Sequence, residues 1–181
     1  DQISEHRLQE LNRLAEVIKS QKDETNLNFI CTHNSRRSQF AQVWAHTMAR
    51  YFSQPIQSFS GGVEITACNP RTVKALESCG FIATNDGGTN PVYNLTYDHN
   101  REPIILFSKL HSDASNPEDF VAVMTCDHAD QNCPFIPNAV ARIPLTYIDP
   151  KRSDDTPHET KTYYNTSLEI ATEMKYLFSQ L

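Results

Sequence analysis

The sequence predicts an α/β fold on a parallel sheet. Short apolar runs alternate along the chain with longer segments of helical periodicity, and three of those runs lead directly into chemically capable residues: Cys31, Cys126 and Asp149. In order, residues 4–20 read as an amphipathic helix with Leu8, Leu11, Leu14, Val17 and Ile18 on one face, followed by a charged link from Lys19 to Thr25. That stripe is read as core packing, with a dimer contact as the other reading. Leu27, Phe29 and Ile30 mark the first strand; Phe40, Val43, Trp44, Thr47, Met48 and Tyr51, spaced three or four apart, mark the next helix. Residues 57–62, 120–126 and 141–145 read as further strands, Asn69 to Cys79 as a helix, and Glu159 to Leu181 as a closing helix with Tyr164, Leu168, Ala171, Lys175 and Phe178 along one row.

Between Ala83 and Pro117 the chain is rich in Gly, Asn, Asp and Pro. Two extended runs, Val92–Tyr97 and Ile104–Phe107, flank Asp98-His-Asn-Arg101, which is a hairpin signature. The segment is expected to extend a sheet edge rather than to cover a site, and to be dispensable for the chemistry.

At 181 residues and 39% hydrophobic, the chain is long enough to bury a core as one domain, 1–181. Its net charge of −6 leaves no electrostatic footprint for nucleic acid, and no apolar stretch approaches the roughly 20 residues that span a bilayer. Five cysteines, an odd number at spacings unlike a disulfide scaffold, point to reactive thiols in a reducing compartment, with the cytoplasm as the expected location. The first residue is Asp1 rather than Met, which reads as a trimmed or processed start.

The most informative stretch is Cys31-Thr-His-Asn-Ser-Arg-Arg37-Ser38. It lies between a strand and a helix, so a thiolate, an arginine fork and a row of backbone N–H groups converge on one tetrahedral oxyanion. Helix N-termini and nearby cations favour the nucleophilic thiolate. Cys31 is the candidate nucleophile, Arg37 its clamp, and Ser38 a hydroxyl donor to the sulfur. Thr32, His33, Asn34, Ser35, Arg36 and Arg37 are the candidate oxyanion binders, Asn34 being a residue that tolerates a left-handed turn. A buried structural cysteine beside two surface arginines is the plain alternative.

Cys31 through Ser38, with Gln39, Ala41 and Trp44, resembles the phosphate loop and first helix of the low-molecular-weight protein tyrosine phosphatase fold family, especially its thioredoxin-coupled arsenate reductase branch. The resemblance continues through Phe59-Ser-Gly-Gly62, Asn69-Pro70-Arg71, Cys126-Asp-His-Ala-Asp-Gln-Asn-Cys133-Pro134 and Asp149-Pro150, covering about residues 27 to 180. It implies a four-stranded parallel sheet with helices on both faces, an N-terminal helical extension at 1–26 and a hairpin insertion at 83–117. His33 stands where the family often has glycine, Arg36 where familiar reductases have cysteine, and Gln42 where some carry a cation-linked glutamate. No monovalent cation is therefore expected, and His33 and Arg36 are read either as added positive charge or as solvent-facing.

Cys126 ends a strand and so shares a sheet edge with Cys31. Neighbouring strands lie about 4.8 Å apart, within the range of disulfide Cα separations, so Cys126 can attack a Cys31 adduct if the strands are neighbours. Cys133 follows after seven residues, a rise of about 10.5 Å on a helix, and pairing with Cys126 requires that turn to unwind. A zinc site from Cys126, His128 and Cys133 with Asp127 or Asp130 lacks a second Cys/His pair, and purely structural thiols are a further alternative. Cys68 and Cys79 receive no role. Asp149, in the loop after the last strand, is a candidate general acid, against the reading of an ordinary turn aspartate before proline.

The resemblance implies an arsenate reductase. Cys31 attacks arsenate, Cys126 attacks the Cys31 sulfur, and Cys133 moves the disulfide to a pair that a thioredoxin-like protein reduces. Phosphate is the expected competitor, no bound cofactor is expected, and no nucleic acid or membrane is a partner. A phosphatase acting on phosphoesters through phosphocysteine at Cys31 is the alternative. Lys151-Arg-Ser-Asp-Asp replaces the aromatic residues that phosphatases of the family usually place after Asp-Pro, which favours reduction. A non-catalytic oxyanion-binding module is the third reading.

Overall fold

Side chains alternate along the strand Thr25–Cys31 (β1), and both of its faces are apolar: Leu27 and Phe29 enter one buried cluster, Ile30 the other. Phe120–Met124 (β6) behaves alike, with Val121 and Val123 on one side and Ala122 and Met124 on the other. Strands apolar on both sides require cover on both faces. The computed structural model, which describes residues 3–21, 24–132 and 135–181, provides it. Flanked by Ile56–Gly62 (β2) and Ala139–Pro144 (β7), these strands form a four-stranded sheet in the order β2-β1-β6-β7, every pair parallel. Helices Glu5–Ser20 (α1), Arg37–Tyr51 (α2), Pro70–Ser78 (α3) and Glu159–Ser179 (α5) supply Leu11, Phe40, Val73 and Met174 to the first cluster. Asp127–Asn132 (α4) covers the second with Ala129. This is the α/β architecture expected.

Helix starts follow local chemistry. Ser4 caps α1 by accepting from Arg7 N–H, and Asn69 caps α3 by accepting from Arg71 N–H, with Pro70 in the first turn. By contrast, α2 begins after Arg36 without a side-chain cap, which leaves its first N–H groups for another acceptor. The α1 stripe is core: Leu11, Leu14, Ala15 and Ile18 are buried. Arg7 pins this helix to α5 through Glu173 at 2.9 Å, reaches the carbonyl of Thr146, and lies 4.8 Å over the Tyr147 ring.

Two side-chain rows fall differently from expectation. In α5 the buried face is Tyr163, Thr166, Ser167, Ile170, Glu173, Met174, Leu177 and Phe178, whereas Tyr164 and Leu168 are exposed. The buried row contains Thr, Ser and Glu, of which Ser167 and Glu173 bond to neighbouring elements, so an apolar pattern gives it the wrong phase. Tyr51 of α2 is likewise exposed at the end of its helix.

The hairpin is present as Tyr93–Thr96 (β4) against Ile104–Leu106 (β5), antiparallel. It is joined by Ile82–Asn85 (β3) in a separate three-stranded sheet. β3 is mostly exposed and shows no apolar alternation to betray it. Beyond β5 the chain also touches the main sheet, through a parallel bridge between Leu110 and Gly62 at the end of β2. Among the described residues, no helix is long and apolar enough to cross a membrane.

Candidate active site

From β1 the chain moves to β2 on one side and later to β6 on the other. The carboxyl ends of β1 and β6 therefore flank a topological switch point, the place where open α/β sheets bind ligands. Cys31 is the last residue of β1, in register with Gly62, and Cys126 follows β6 by two residues. Both are buried, Cys31 3% and Cys126 1% exposed, and both belong to the same cluster.

Residues 32–36 wind from Cys31 into α2. Their carbonyls are held from outside. Thr32 C=O accepts from Val63 and Glu64 N–H, His33 C=O from the Ser108 and Thr66 hydroxyls, Asn34 C=O from the Gln39 amide, and Ser35 C=O from Asn69 N–H and the Thr72 hydroxyl. With the oxygens turned outward, the N–H sides of these peptides turn inward and form a concave nest of donors suited to an anion at the uncapped start of α2. Asn34 carries the left-handed turn at φ 45°; His33, despite replacing a frequent glycine, does not have positive φ. Gly62 is needed for space: a Cβ there would stand 2.8 Å from Thr32 O and 2.9 Å from Asn34 N.

A directed chain of polar groups ends on the sulfur. Lys109 N–H donates to Asn34 Oδ1 at 3.1 Å, which fixes the amide so that Nδ2 donates to Ser38 Oγ at 2.9 Å. The Ser38 hydroxyl then has its own proton left for Cys31 Sγ, 3.1 Å away. Lys109 belongs to the stretch after the hairpin, as do Ser108, which holds His33, and Phe107, whose carbonyl accepts from Gln39. Residues 107–109 thus support the loop, and the expectation that the whole 83–117 segment is dispensable changes accordingly. Nothing in the spacing of Phe107-Ser-Lys109 marks this role; it arises where two distant segments meet.

Arg37 Nη2 donates to Asp149 Oδ2 at 2.7 Å and Nη1 to Tyr147 C=O at 3.1 Å, while its buried Nε has no acceptor among the described residues. Asp149 caps the short turn Pro150–Ser153 by accepting from Lys151 N–H, which fixes its carboxylate beside the loop. Arg36 turns away from the anion nest. Its Nε donates to Tyr163 Oη at 2.8 Å and Nη2 reaches Asp154 at 3.5 Å; Tyr163 donates to Asp154 at 2.7 Å, and Arg71 pairs with Asp155 and Glu159. Arg36 is neither an extra charge in the nest nor solvent-facing: it ties the loop to α5 and to the turn after Asp149. Burial, and donation to Asp154, push the Tyr163 phenol up to about 12, so it stays a donor at neutral pH. His33 pairs with Glu64 at 3.2 Å on the exposed rim.

Cys126 Sγ accepts from Ala129 N–H at 3.3 Å and lies 3.5 Å from Thr32 Oγ1, which is in turn 3.3 Å from His128 Nδ1. Cys133 lies outside the described residues. Cys68 is buried, which pushes its thiol up to about 12 and makes it inert at neutral pH.

No family model matches the chain. An arsenate reductase from Bacillus subtilis is 30% identical over 136 residues, 75% of this chain and 81% of the relative. Among solved structures, a low-molecular-weight protein tyrosine phosphatase from T. tengcongensis superimposes with a TM-score of 0.59 at 14% identity, covering 87% of this chain and 100% of that one. An arsenate reductase in its oxidised state gives 0.54 at 15% identity, covering 86% and 97%.

Proposed function

Since the chain belongs to the arsenate reductase branch of the low-molecular-weight protein tyrosine phosphatase fold family, we propose that it reduces arsenate with its own thiols. The observation that carries this reading is the pairing of β1 with β6, which brings a second buried thiol, Cys126, to the sheet edge where Cys31 sits. A phosphatase needs one cysteine there; a reductase needs two.

Arsenate oxygens take the inward N–H groups of residues 32–37 and the unpartnered Arg37 Nε. Ser38 holds the Cys31 thiolate, which attacks arsenic. A hydroxyl of arsenate leaves as water, the one proton it needs supplied by Asp149, whose position against Arg37 keeps it at the mouth of the nest. Cys126 then attacks the Cys31 sulfur. The S–As electron pair stays on arsenic, which leaves as arsenite, and the two sulfurs become a disulfide. Cys133 exchanges into that disulfide, and a thioredoxin-like protein reduces the final pair. A reducing compartment such as the cytoplasm suits this cycle.

The test is peptide mapping of a Cys133→Ser variant after one equivalent of arsenate. The expected product is a Cys31–Cys126 disulfide with one arsenite released. Free thiols at both positions, together with sustained hydrolysis of a phosphoaryl ester, would move the assignment to a phosphatase.

A further inference from the structure

Cys126 is 1% exposed, so its thiol has little direct contact with water. His128, by contrast, is exposed, and a single hydroxyl stands between them. Thr32 Oγ1 is 3.5 Å from Cys126 Sγ and 3.3 Å from His128 Nδ1. A hydroxyl has one proton to give and lone pairs to accept with, so Thr32 can accept from the Cys126 S–H while donating to Nδ1 of an Nε2–H tautomer. The Ala129 N–H fixes the sulfur from the other side. Thr32 also belongs to the anion nest, its carbonyl held by Val63 and Glu64, so its hydroxyl is placed by the same framework that binds the oxyanion.

We infer that His128, acting through Thr32, removes the proton of Cys126 for the second sulfur step. The inference rests on the arsenate reductase reading. The Cys126 proton passes to Thr32 Oγ1 as the Thr32 proton passes to His128 Nδ1. The resulting Cys126 thiolate forms the S–S bond to Cys31 as the Cys31–As bond breaks, with the electron pair going to arsenic. Arsenic gains two electrons, two thiols supply them, and the proton resides on an imidazole open to solvent. His128 thus positions and accepts the proton while Thr32 touches the reacting sulfur.

Rapid-quench alkylation in the Cys133→Ser background, where the Cys31–Cys126 disulfide is trapped, measures this step directly. His128→Ala is expected to slow disulfide formation at saturating arsenate by about a hundredfold, the lower end of acid–base contributions. Added imidazole should restore much of the rate because the site opens to solvent. Thr32→Val should lose as much as His128→Ala, Thr32→Ser should recover it, and the double variant should be no slower than either single one. Protection of Cys31 from iodoacetamide by inorganic phosphate, retained in each variant, certifies a folded nest. A His128→Ala rate within twofold of the parent, or no response to imidazole, overturns the inference. A parent protein that forms no Cys31–Cys126 disulfide with arsenate instead overturns the reductase reading.

Discussion

Asn34 joins the backbone of the anion nest to the chemistry of the sulfur, and three substitutions separate its duties. Asn34→Ala removes the bond to Ser38, worth about 1 kcal/mol net, and leaves the Lys109 N–H without an acceptor in a buried position, about 2 kcal/mol. It also places an ordinary side chain at φ 45° without the local hydrogen bonding that makes asparagine tolerable there, about 1 kcal/mol more. The sum is about 4 kcal/mol, a large part of the 5–15 kcal/mol that stabilises a typical domain. Asn34→Gly relieves the dihedral and should cost about 3 kcal/mol. Asn34→Asp is the informative variant: its Oδ1 still accepts from Lys109, but its second oxygen cannot donate to Ser38, so the Ser38 proton turns from Cys31 to the new carboxylate. Stability should fall as well, because the new carboxylate is buried, while alkylation of Cys31 by iodoacetamide at pH 7 should slow. Urea denaturation and alkylation kinetics on the three proteins make the comparison. A loss below about 1 kcal/mol in Asn34→Ala, or Asn34→Asp alkylated as fast as the parent, would refute the directed chain from Lys109 to Cys31.

Gly62→Ala drives a Cβ to within 2.9 Å of the loop backbone, so it should cost about 1–3 kcal/mol in urea unfolding and weaken phosphate protection of Cys31; unaltered protection would show that the loop yields without cost. His46 supplies a pH signature away from the site. Burial, then Arg50 and Arg101, lower it from 6.5 to about 4, so below pH 6.5 the unfolded chain takes up the proton first. Stability should fall between pH 6.5 and about 4 and level off below, and His46→Gln should flatten that slope in urea midpoints measured at pH 7 and 5.

Local apolar runs and spacing mark the strands β1, β2, β6 and β7 and the helices α1, α2 and α3, and they mark α5 as a helix though not its buried face. The Cys31–Ser38 loop is legible for a different local reason: its residues are consecutive, and their types carry the chemistry. The phase of α5 is not, since its buried row includes polar residues, of which Ser167 and Glu173 meet partners far along the chain, Trp44 for Ser167 and Arg7 for Glu173. Arg36 reads in sequence as a second cation of the loop; only folding supplies Asp154 and Tyr163, 118 and 127 residues away, to draw it off. The support from Ser108 and Lys109, and the alignment of Cys126, Thr32 and His128, likewise come from segments whose meeting no local pattern encodes. A hydrogen bond depends on distance in space, so residue identity determined which groups could take part, and the order of the sheet decided which of them met.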